Sequence, residues 1–190
     1  MKNVALQRMR RWLLAACLAA CLPLLIVAQD VAAELHRYRL AAEAYERGSS
    51  LQMQGRLDDA AAEYRKVISL APHTVEAYGS LASLEFRRGH VDEAIQIYRS
   101  LLASYPYSHY ASVHREVGLI ELRTGRLVDA RRDLARAVTL DPQDWFAYFL
   151  LGHTDRRLGD RPAAKDAWRR VLQLRPGYEP AQEQLRRLDE

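Results

Sequence analysis

The chain has 190 residues, with 28 Lys and Arg against 24 Asp and Glu, and two cysteines. Four cations, Lys2, Arg8, Arg10 and Arg11, and no acid precede Gln29, so residues 29–190 carry 24 charges of each sign. The pI near 9.2 is therefore a property of the leader, which argues against nucleic-acid binding by the folded part. Cys17 and Cys21 also lie there, leaving the remainder without a thiol for disulfide, redox or zinc–thiolate chemistry.

The basic start followed by the 17-residue apolar run from Trp12 to Ala28 reads as a targeting segment. Three readings stand for residues 1–28. One is a signal peptide cleaved near Ala28. The second is an uncleaved membrane anchor, since an apolar run of this length, at about 1.5 Å per residue, sits at the short edge of a bilayer span. The third is lipidation of Cys21, which follows Leu18-Ala19-Ala20. Each leads to the bacterial cell envelope, with the chain exported to the periplasm or held at the membrane facing it.

Residues 29–40 contain no Gly or Pro and continue a helical pattern into Ala41, so a helical extension is expected. Beyond it the chain repeats. Gly55, Gly89, Gly125 and Gly159 recur at separations of 34, 36 and 34, and Pro72, Pro106, Pro142 and Pro176 keep the same steps. Between them run Ala60, Ala94, Ala130 and Ala164, then Tyr64, Tyr98, Leu134 and Trp168. Each copy holds two amphipathic stretches that meet at the glycine, which predicts paired antiparallel helices in repeats 41–74, 75–108, 111–144 and 145–178. The glycine suits a left-handed helix end, and the proline stops the second helix. The 36-residue step inserts two residues near Tyr107-Ser108-His109-Tyr110. Residues 179–190, with Leu185 and Leu188 on one face, are expected to form a capping helix.

The pattern Tyr148, Leu151, Gly152, Ala164, Trp168, Pro176 resembles the tetratricopeptide repeat, and its register holds through the four copies from Ala41 to Tyr178. The resemblance implies an all-α solenoid of four helical hairpins. Two departures stand out: Arg47 replaces the leucine present as Leu81 and Leu151, and Ala82 replaces the glycine present as Gly48, Gly118 and Gly152. The small residue is expected where the helices of a hairpin cross closely.

No sequence context activates a nucleophile, no phosphate loop is present, and no two of the six histidines share the i, i+4 spacing that sets two metal ligands on one helix face. The reading is therefore a non-enzyme without metal or cofactor. In the family that the chain resembles, the inner groove is lined by the first helix of each repeat. That register picks out Tyr45, Ser49, Gln52 and Met53; Ser83, Phe86 and Arg87; Arg115, Leu119, Leu122 and Arg123; and Phe146, Phe149, His153, Arg156 and Arg157. Aromatic surface with clustered guanidinium suits a partner peptide bearing apolar and acidic groups. Several of these arginines also end helices, where the helix dipole favours cations in any case. The expected function is a protein-binding scaffold or assembly factor of the cell envelope. The alternative is a permanent structural subunit of a membrane complex that uses its anchor and outer face.

Overall fold

The computed structural model describes the backbone of residues 2–104 and 111–189, and side chains in 27–104 and 111–188. Its helices are α1 (Lys2–Met53), α2 (Leu57–Leu70), α3 (Val75–Arg87), α4 (Val91–Ser104), α5 (Ala111–Arg123), α6 (Leu127–Leu140), α7 (Trp145–Leu158), α8 (Arg161–Leu174) and α9 (Glu179–Asp189). The described residues include no strand, as the all-α tetratricopeptide reading expects. The side chains of residues 1–26, Cys21 among them, and the insertion Tyr107–Tyr110 lie outside the described residues. Among the described residues no helix is long and apolar enough to cross a membrane.

Each helix pair turns at its glycine. Gly55, Gly89, Gly125 and Gly159 have φ between 77° and 87°, a region that other L-residues enter only with strain. Gly159 closes α7 with its amide on the carbonyls of Asp155 and Arg156, satisfying groups that the helix leaves open. Asp160 then starts α8 by accepting from the Ala163 amide, and Pro162 sits in the first turn, where its missing donor is harmless.

The chain forms two compact units, residues 1–77 and 78–190. In the first, α1 and α2 pack through Ala41, Ala44, Val67, Ala71 and Ala77, with Tyr45, Ile68 and Leu70 against them. The alanines let the backbones approach closely. Gly48 meets the Tyr64 ring, whose Cε1 would lie 2.9 Å from an added Cβ. Arg47, in the slot that carries leucine elsewhere, is turned to solvent and pairs with Glu63 at 3.1 Å.

In the second unit the buried residues follow the same register. Leu122, Ala130, Leu134 and Leu150 form one cluster, and Ala164, Trp168, Val171 and Ala181 another. Leu185 and Leu188 of α9 pack on the latter, so the last repeat is covered at its apolar edge. Gly118 and Gly152 sit where a Cβ would reach 2.6 Å from Leu134 Cγ and 2.4 Å from Trp168 Nε1 respectively. Ala82, fully buried, takes the equivalent place in the second repeat.

Candidate functional site

Of the residues selected by register, Tyr45, Ser49, Gln52 and Met53 belong to the first unit. Met53 is 82% exposed. Gln52 accepts from the Tyr64 hydroxyl at 3.1 Å, so that amide is engaged within the hairpin. Tyr45 lies 5.6 Å from Tyr64, centroid to centroid. With Tyr38, Ala41 and Val67 it lines an apolar depression of about 360 Å³ edged by Glu46 and Glu76.

The second unit holds the other twelve, and they divide by what they touch. Ser83, Arg87, Arg123 and Arg156 are exposed and Phe86 is half-buried. These arginines make no ion pair with a described residue. The rest are tied into the structure. Leu122 is buried, with Leu119 and Phe146 packed on its cluster. Phe149 stacks edge-on against His153 and Tyr178 at 4.6 and 5.3 Å. His153 also stacks on Trp168 at 5.3 Å. Burial pushes the His153 pKa down, and Arg156 adds to that, which favours the neutral ring that packs against these aromatics.

Arg115 and Arg157 serve contacts between helices. Arg115 Nη1 donates to Asp144 at 2.7 Å and lies 6.0 Å from the Phe146 ring. Asp144 in turn caps α7, accepting from the amides of Phe146 and Ala147 at 3.1 and 3.0 Å. Arg157 Nη1 donates to the Leu122 carbonyl at 2.6 Å, linking the end of α7 to the end of α5. All four arginines Arg87, Arg123, Arg156 and Arg157 stand in the last turn of a helix, where the dipole favours cations. Only Arg157 is engaged with a described carbonyl, while Arg87, Arg123 and Arg156 are exposed.

A charge network that the sequence did not mark ties α4, α5 and α6. Arg99 Nη1 donates to Asp133 Oδ1 at 3.0 Å, while Nη2 reaches Asp133 Oδ2 and, at 3.5 Å, Glu121. His114 Nδ1 lies 2.8 Å from Asp133 Oδ1. Asp133 and Glu121 are 2% and 3% exposed. Burial pushes Asp133 up, but the hydrogen bonds from His114 and Arg99 outweigh it and hold its pKa at about 2. Burial, with the Asp133 charge added, pushes Glu121 up to about 7. Glu121 Oε2 has no hydrogen-bond partner among the described residues. Arg99 and Asp133 stand 34 residues apart, so the signal existed only as a relation between successive repeats.

Among the described residues one group has ligand atoms close enough to hold a metal ion: Glu85, His90 and Glu93, within 4.8 Å of one another. It spans the end of α3, the turn and the start of α4.

Comparison with known proteins returns the same repeat. The family model described as Tetratricopeptide repeat matches residues 45–109. Over 127 residues, 67% of the chain, the sequence is 32% identical to the CTR9 homolog of Arabidopsis thaliana. It covers 12% of that protein, so it spans about an eighth of its length. Among solved structures, a MamA protein superimposes with a TM-score of 0.68 at 21% identity, over 78% of this chain and 80% of that one. MamA residues 41 to the end, from Desulfovibrio magneticus RS-1, give 0.61 at 21% identity over 73% and 77%. Pseudomonas aeruginosa PilF gives 0.67 at 22% identity over 80% and 69%. At these identities the likeness establishes the fold.

Proposed function

Because the chain is a tetratricopeptide-repeat protein, of a fold that serves as a protein–protein interaction scaffold and is typically non-catalytic, we propose that it is a scaffold or assembly factor of the cell envelope. It grips a partner segment on the first helices of the repeats in its second unit, α3, α5 and α7. The observation that carries this is the division within the second unit. Phe86, Arg87, Arg123 and Arg156 remain available at the surface, while neighbouring register positions are spent on packing. An apolar edge beside solvated guanidinium groups fits a peptide with an apolar anchor and nearby carboxylates, which guanidinium binds bidentately. The basic, apolar leader supports the envelope location.

The test is affinity purification of the full chain from envelope extracts, comparing the parent with Phe86→Ala/Arg123→Ala and with Arg136→Ala/Arg169→Ala, two exposed second-helix arginines. Loss of co-purifying protein in the first variant alone supports the proposal. Loss in the second alone moves the interaction to the outer face and rejects it.

A further inference from the structure

We infer that the turn joining α3 to α4 is a binding site for a divalent ion of the zinc type, with Glu85, His90 and Glu93 as its protein ligands. The Glu85 side chain is 1% exposed, and its Oε1 accepts from Arg88 Nη1 at 3.3 Å. Its other oxygen, Oε2, lies 2.9 Å from His90 Nδ1. Glu93 Oε2 stands 3.9 Å from the same nitrogen. A tetrahedral zinc ion, with bonds near 2.0–2.2 Å to nitrogen and oxygen, separates its ligand atoms by about 3.4 Å. The two separations bracket that value, so a small rotation of the exposed Glu93 closes the set.

The backbone holds the first two ligands in place. Gly89 has φ 87°, its amide bonds to Phe86 O at 3.0 Å, and the His90 amide bonds to Glu85 O at 2.9 Å. Arg88, bound to the other oxygen of Glu85, orients that carboxylate as an outer partner of the ion. His90 and Glu93 are exposed, which leaves the fourth position to water.

The other repeats supply an independent argument. In the first, the residue matching His90 is Arg56, and it pairs with Asp59, the match of Glu93, at 2.6 Å. In the third the match is Arg126, with Asp129 in place of Glu93. Arg126 pairs with Asp92 at 2.6 Å and Asp129 with Arg132 at 3.0 Å, so both turns carry a guanidinium, which has no lone pair for a metal, at this position. The fourth has Asp160 and Ala163 and lacks both features. The second repeat keeps acids on both sides and puts an imidazole, with its lone pair, where the guanidinium stands.

The experiment uses the full chain with Cys17→Ser and Cys21→Ser in every arm, because leader thiolates would compete for zinc. Zn²⁺ is titrated against a chromophoric chelator, and Co²⁺ is added separately to read visible d–d absorption. His90→Ala and Glu93→Gln alter exposed side chains, and far-UV circular dichroism verifies that they fold. The expected result is one Zn²⁺ per chain, weakened at least about tenfold in each variant, with the Co²⁺ absorption lost in His90→Ala. Absence of stoichiometric binding, or weakening of less than tenfold in either variant, overturns the inference.

Discussion

Gly152→Ala adds one methyl group at the closest helix crossing and should be among the most damaging conservative changes in the chain. The new Cβ would lie 2.4 Å from Trp168 Nε1 and 2.7 Å from Cδ1 and Cε2. Trp168 cannot yield easily: it is fully buried, and its Nε1 donates to the Phe149 carbonyl at 3.2 Å. Overpacking costs about 1–3 kcal/mol, and loss of the indole hydrogen bond adds about 1 kcal/mol. Replacing glycine by alanine within a helix returns about 1 kcal/mol. The net loss is therefore about 1–3 kcal/mol, a Tm lowered by roughly 2–12 °C for a chain of this size. Gly48→Ala provides the contrast, since its nearest neighbour, at 2.9 Å, is the ring edge of Tyr64. That ring need move only a few tenths of an ångström, so the propensity gain roughly cancels the clash. Thermal unfolding followed by circular dichroism gives both values. A Gly152→Ala protein that melts with the parent, or a Gly48→Ala protein that loses more than Gly152→Ala, would refute the crossing geometry.

Glu121→Gln removes a carboxyl group whose pKa burial raises to about 7. The folded state holds that proton more tightly than the unfolded state, so the parent loses stability as pH rises from about 4.5 to 7. The variant should lack this loss and gain about 1–3 kcal/mol over the parent at pH 8 relative to pH 5, read from urea midpoints at the two values. Equal pH dependence in both proteins would contradict it. Arg99→Ala leaves Asp133 and Glu121 buried without their guanidinium and should cost about 3 kcal/mol at neutral pH. Asp133 is held at about 2, so the stability it confers is present above about 3.9 and fades as pH falls toward 2. A Tm for Arg99→Ala unchanged at pH 7 would contradict the network. Asp144→Ala removes the α7 cap and the Arg115 partner together and should cost about 1–2 kcal/mol, measured by the same unfolding assay.

The repeat was legible because its markers are local. A glycine forced into the left-handed region and a small residue at each helix crossing recur at fixed intervals, so Gly55 to Gly159 and Gly48, Ala82, Gly118 and Gly152 could be read from spacing. The surface was less legible. Register places Leu122 and Arg123 side by side, yet Leu122 is 8% exposed and packs in the core while Arg123 is exposed. One step around a helix separates the two, and linear spacing does not resolve it. Arg157 bonds to a carbonyl 35 residues away and Arg99 to a carboxylate 34 away. These pairings belong to the stacking of successive repeats and have no signature within either one. The group Glu85, His90 and Glu93 escaped for a related reason: a search for ligands at i, i+4 assumes a single helix, and these residues converge only because Gly89 turns the chain between two.

Site-directed photo-crosslinking in living cells tests the central claim most directly. A benzoylphenylalanine placed in turn at Arg87, Arg123 and Arg156, and at Arg136 and Arg169 on the second helices, reports which face a partner touches. The account predicts partner adducts from the first three positions and none from the last two. Adducts confined to Arg136 and Arg169 would contradict it.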